Sequence, residues 1–128
     1  MQAARIFLVL GALNAAAAVA CGAFGAHALK ARLPAQMLEV YHTAVQYHFW
    51  HALGLLAIGL AAPRIGDSAL THWAGWLMFA GIALFCGSLY VLSLSGVRWL
   101  GAITPFGGAA FIVGWALFAL AAFRTLPQ

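Results

Sequence analysis

Four stretches of this chain contain no Asp, Glu, Lys or Arg. They are residues 6–29, 40–62, 69–97 and 99–123, of 24, 23, 29 and 25 residues. An α-helix rises about 1.5 Å per residue, so about 20 apolar residues cross a hydrocarbon core about 30 Å thick. Each stretch is long enough to do so, and together they make up most of the chain. The expected fold class is therefore all-α, an integral membrane four-helix bundle. Composition agrees: of 128 residues, 66% are apolar and 6% charged, and the mean hydropathy is +0.99. A soluble domain carries about a quarter charged residues. The length leaves room for one domain, residues 1–128.

The formal net charge of +4 rests on six cations. Arg5, Lys30, Arg32, Arg64, Arg98 and Arg124 all flank apolar segments. That is the pattern of membrane anchoring. Nucleic-acid binding needs cations clustered on one face, so nucleic acid is excluded as a partner. Cys21 and Cys86 lie inside apolar segments without a CxxC pattern, and are read as small packing residues. Arg5 followed by an apolar run to Cys21 has the outline of a signal peptide. The run continues to Leu29 and then meets Lys30 and Arg32, so a retained first helix is expected.

Turn residues set the expected helices at about 6–29, 35–62, 69–94 and 99–123. Gly11, Ala15, Ala18, Gly22 and Gly25 or Ala26 form a small-residue stripe on the first helix, where another backbone can approach closely. Pro34 suits the first turn of the second helix. Pro63 and Gly66 should end that helix, and Asp67 or Ser68 should cap the third. Thr104-Pro105 and Gly107-Gly108 should kink or loosen the first half of the fourth helix. Short loops imply up-down-up-down order. Orientation should follow Lys/Arg asymmetry, but Arg5, Arg64 and Arg124 on one side balance Lys30, Arg32 and Arg98 on the other.

This order of crossing gathers polar residues at one end. His27 lies near the end of the first helix. Glu39, Tyr41, His42, Gln46, Tyr47, His48 and His51 fall in the first half of the second. Ser88, Tyr90 and Ser93 are in the second half of the third, and Thr104 is near the start of the fourth. All of these belong to the leaflet holding the first and third loops; Asn14 and His72 lie outside it. At 100° per residue, Glu39, His42 and Gln46 share one face of the second helix, while His48 and His51 share another. Ionisable groups at hydrocarbon depth are costly and usually face protein or water with a partner. His27, Glu39, Tyr41, His42, Gln46, His48, His51, Ser88, Tyr90 and Thr104 are therefore the candidate intramembrane cluster.

Three readings compete for this cluster. In the first, neutral histidines hydrogen-bond to neighbouring helices and hold the bundle together, with no resident cofactor. In the second, His27, His48 and His51 ligate a metal or haem. In the third, histidines line a proton or small-solute path, as in a small channel or carrier. Asn14, a single amide in an apolar helix, is expected to make one interhelical hydrogen bond. Nucleophile elbows, HExxH, phosphate loops and close carboxylate pairs are all missing, so an enzyme is not expected.

Several motifs together resemble one family. They are Gly22-Ala23-Phe24-Gly25-Ala26-His27, Tyr41-His42-Thr43-Ala44-Val45-Gln46-Tyr47-His48 with His51, Gly87-Ser88-Leu89-Tyr90, and Thr104-Pro105-Phe106-Gly107-Gly108 with Gly114-Trp115. In this order, and over nearly the whole chain, they are similar to the small inner-membrane proteins grouped as domain of unknown function 423, related to the transmembrane protein 256 group. The resemblance implies a four-helix protein of the bacterial inner membrane and no established reaction. It carries over His27, His51, Ser88, Tyr90, Thr104 and Pro105; His42 and His48 are less typical of it. The expected role is a structural or accessory membrane component. Its partners would be the lipid bilayer and either further copies of itself or a larger membrane complex.

Overall fold

A computed structural model describes residues 2–127 as four helices joined by short turns. These are α1 (Gln2–Leu29), α2 (Ala35–Ile65), α3 (Ala69–Ser95) and α4 (Arg98–Thr125). No strand occurs among the described residues. By length and composition, α1, α3 and α4 are apolar enough to cross a membrane. The fourth expected span, α2, stands apart. It is the longest helical segment, at 31 residues, and also the least apolar. Its position explains why: α2 contacts α1, α3 and α4 and buries eleven residues from Tyr41 to Ile65. A helix covered by protein on several sides does not need an apolar surface all round.

The helix pairs are fixed by close approaches at glycine. On α1, Gly11 faces the Leu56 backbone, Gly22 faces Val45 and Gly25 faces the Tyr41 ring; on α2, Gly59 faces the Leu8 backbone. The register descends along one helix as it rises along the other, so α1 and α2 run in opposite senses. Gly114 against Ala74, Phe111 against Gly81 and Gly107 against Phe85 show the same for α3 and α4. The small-residue stripe of α1 thus packs onto α2. The apolar core includes Phe7, Leu55, Ile58, Met78, Cys86 and Phe111.

Local geometry departs from expectation at several helix ends. α1 begins at Gln2 rather than Ile6 and closes in a π-helical turn, Gly25–Leu29. α2 passes through Pro63 and stops at Gly66, which takes a left-handed-side φ of 88°. Proline this near a C-terminus removes a single ladder bond and does not break the helix. Within α3, residues Ile82–Cys86 form a second π turn, between α-helical Ala69–Gly81 and Gly87–Ser95. α4 is loosened in its first part. It opens as a 3-10 turn, Arg98–Ala102, and becomes α-helical at Thr104, so Pro105 sits in the first α-turn, where its missing N–H costs nothing.

Ser68 caps α3 by accepting the Thr71 N–H at 3.3 Å. Asp67 instead reaches across to the start of α1. Its carboxylate accepts the backbone N–H of Gln2 at 3.1 Å and of Ala3 at 3.3 Å, and His72 Nε2 lies 2.5 Å from it.

Candidate functional site

The ten residues singled out from sequence do not form one site. The structure divides nine of them into four groups and leaves His27 apart, because α2 is central and its faces meet different neighbours.

The first group is a chain of hydrogen bonds across three helices. His48 Nδ1 lies 2.9 Å from the Tyr90 hydroxyl of α3, and its Nε2 lies 3.0 Å from Asn14 Oδ1 of α1. Asn14 Nδ2 in turn donates to the Leu10 carbonyl at 2.8 Å. Because Asn14 Oδ1 only accepts, Nε2 carries the proton and Nδ1 accepts from Tyr90. Every ring nitrogen is therefore used by a neutral imidazole. His48 is 6% exposed. The Tyr41 ring packs edge-on to Tyr90 at 5.3 Å, and its hydroxyl donates to the Cys21 carbonyl at 2.5 Å. Beside this group a hollow of about 250 Å³ is lined mainly by α3 residues, including Cys86 and Tyr90. Asn14, expected on α1 outside the polar leaflet, belongs to the group because His48 reaches toward the middle of α1 to meet it.

The second group joins α3 to α4. Ser88 donates to the Phe85 carbonyl at 3.0 Å, inside the π turn, and accepts from Thr104 at 2.7 Å.

The third is His51 alone. Its Nδ1–H donates to the Tyr47 carbonyl at 2.8 Å. The imidazole stacks on Phe111 with centroids 3.5 Å apart and 14° between planes, with Trp115 at 5.9 Å. His48 and His51, expected to share a site, therefore serve α1/α3 and α4 respectively. Their separation of about 60° around the axis falls across a boundary between neighbours.

The fourth is a stripe on the outside: Glu39, His42 and Gln46 are all exposed. The shared face was legible from spacing, but its outward direction was not. His27 is also exposed, in the π turn that ends α1. Joint ligation of one metal ion by His27, His48 and His51 is thereby corrected. No group of three or more His, Cys, Asp or Glu able to hold a metal occurs among the described residues. Nor is any buried side-chain N or O left without a hydrogen-bond partner among them.

Comparison with known proteins places this arrangement. The chain is 51% identical over 122 residues to the UPF0382 membrane protein YwdK of Bacillus subtilis, covering 95% of this chain and 99% of that protein. It is 49% identical over 120 residues to the UPF0382 membrane protein SSP2132 of Staphylococcus saprophyticus, covering 94% and 98%. A relative in Staphylococcus epidermidis, the UPF0382 membrane protein SERP0230, is 48% identical over 94% of this chain and 97% of its own. No solved structure matches the chain. Residues 21–108, which hold all the polar groups above except Asn14, match the family described as "Protein of unknown function (DUF423)", and the chain is a membrane protein belonging to that family.

Proposed function

We propose that this protein is a non-enzymatic structural or accessory component of the bacterial inner membrane, with all four helices crossing in up-down-up-down order. One observation carries the reading: the Asn14–His48–Tyr90 chain uses the histidine's hydrogen-bonding capacity inside the protein. A polar group at hydrocarbon depth needs a partner. Here the partners are other helices, so the polar residues act as interhelical locks. The same bonds support placing α2 across the membrane. They set His48 against the middle of α1, and α1 by itself is long and apolar enough to span.

The test is metal analysis and an optical spectrum of protein purified in mild detergent without a histidine tag, followed by proton-flux measurement in liposomes. The expected result is no stoichiometric metal, no Soret band and no flux above empty liposomes, with metal added back to exclude stripping. One equivalent of metal or haem lost in His51→Ala, or flux abolished by His48→Ala, overturns the reading. Labelling of cysteines introduced at Ala31 and Ser68 tests the topology. The two should be reached by an impermeant maleimide from opposite faces, and labelling from one face removes α2 from the membrane.

A further inference from the structure

Among the described residues, the outward stripe on α2 is a part of the polar inventory that the fold leaves unanswered. Gln46 has no hydrogen-bond partner among the described residues, and it is exposed. It stands beside Ala18 and Gly22 of α1, on the rim of a hollow of about 480 Å³. Those residues lie four and eight positions past Asn14, near the middle of the 28-residue α1. At about 1.5 Å per residue, that is within roughly 15 Å of the midplane. An amide at that depth faces hydrocarbon, which offers it neither donor nor acceptor. His42 and Glu39 continue the same exposed face toward the headgroups, one and two turns further out.

The surroundings of Gln46 suit a second copy of this chain. The hollow is lined on α1 by the small residues Ala18, Gly22 and Ala23 with Val19, and on α2 by Val45 and the larger Phe49 and Trp50, which form a ridge along it. Trp50 is 52% exposed. A face with a hollow and a ridge side by side can match itself across a two-fold axis, each ridge entering the other's hollow. Small residues allow the close approach that holds helices together in lipid. An amide both donates and accepts, so two Gln46 side chains facing each other satisfy one another. Further out, Glu39 of one copy would come within one turn of His42 of the other across the axis, a carboxylate beside an imidazole.

We propose that the α1–α2 face bearing Gln46 is the interface of a parallel homodimer, with its two-fold axis along the membrane normal. The parallel sense follows from the chemistry: Gln46 lies off the midplane, so copies inserted in opposite directions would hold their amides in different leaflets. The proposal rests on the four-span reading above, and its test separates the two.

The experiment is oxidative cross-linking of Gln46→Cys in native membranes, with Cys21→Ala to remove the nearby half-buried thiol and buried Cys86 left in place. Ile112→Cys on α4, 72% exposed, is the control. The expected result is a covalent dimer from Gln46→Cys and none from Ile112→Cys. Absence of the dimer, equal dimer from both positions, or a cross-link to a different protein overturns the proposal. Brief treatment with a water-soluble maleimide before oxidation reports on the reading beneath it. A protected thiol that fails to cross-link defeats the dimer alone, and a labelled one defeats the placement of α2 in lipid. As a second measurement, Gln46→Leu suits a lipid-facing site and leaves the folded monomer intact. It should weaken dimerisation in liposomes about seven- to three-hundred-fold, the loss of a reciprocal pair of interhelical hydrogen bonds; unchanged dimerisation overturns the proposal.

Discussion

His48 shows how a histidine becomes structural in a membrane protein. On the four-span reading, water is not available to satisfy whichever nitrogen the protein neglects, so both are paired internally. Asn14 Oδ1 fixes the proton on Nε2, and the Tyr90 hydroxyl donates a hydrogen bond to Nδ1. Removing one partner leaves the other polar group in an apolar setting. Asn14→Leu should therefore destabilise the fold by about 1 to 2 kcal/mol in detergent unfolding. In a double-mutant cycle with His48→Ala the two losses should be non-additive, and simple additivity would show that the bond contributes nothing. Asp67 acts at the same scale but in the α2–α3 turn. Partial desolvation pushes its carboxyl up, yet the Gln2 N–H, the His72 side chain and the Ala3 N–H outweigh that and hold it below its ordinary value of 3.8. A carboxyl depressed by folding contributes stability that is present above its unfolded pKa and fades as pH falls through the folded one. Thermal unfolding followed downward from pH 6 should show a loss beginning near pH 4, and Asp67→Asn should flatten that limb. An unchanged acid limb would mean that the carboxylate does not hold the start of α1.

At the scale of helices, contacts depend on where a Cβ is missing. An alanine at Gly107 would place its Cβ 2.3 Å from the backbone nitrogen of Phe85, in the π turn of α3. Backbone cannot step aside as a flexible side chain does. Gly107→Ala should therefore cost about 1 to 3 kcal/mol, whereas Gly101→Ala, with nothing within 4 Å, should stay within about 0.5 kcal/mol. Equal effects at the two positions would refute close packing of α3 on α4. The number and type of helices were legible because charge-free length is a one-dimensional property. The two π turns were not, since a single extra residue in a helical turn leaves no mark on hydropathy. Their consequences were missed with them: Ser88 bonding back to Phe85 and on to Thr104, and His27 carried outward. The spacing of His48 and His51 was read correctly as an angle of about 60°. What that angle meant depended on which neighbour covered each side of α2, and only the packing of α1, α3 and α4 decides it.

For the whole molecule, the distribution of polarity is inverted relative to a soluble bundle. The least apolar helix is the central one, and the large apolar side chains Val9, Leu13, Leu60, Phe106 and Ile112 face outward. That arrangement suits a lipid surround, and it leaves insertion direction to the ends of the helices. On the four-span reading, Arg5, Arg64 and Arg124 lie on one side and Lys30, Arg32 and Arg98 on the other. Cationic residues are retained on the cytoplasmic side, so an even division gives the chain little preference, and one charge is enough to tip it. Lys30→Gln or Arg98→Gln should place the termini in the cytoplasm, and Arg64→Gln should export them. A reporter fused to the C-terminus, active on one side of the membrane only, would read the change. The parallel dimer adds a condition. If both orientations coexist, only copies inserted the same way can pair through Gln46, so Lys30→Gln and Arg98→Gln should raise the yield of the Gln46→Cys cross-link as they make the population uniform. A yield that falls as orientation becomes uniform would show that the pairing copies run in opposite directions.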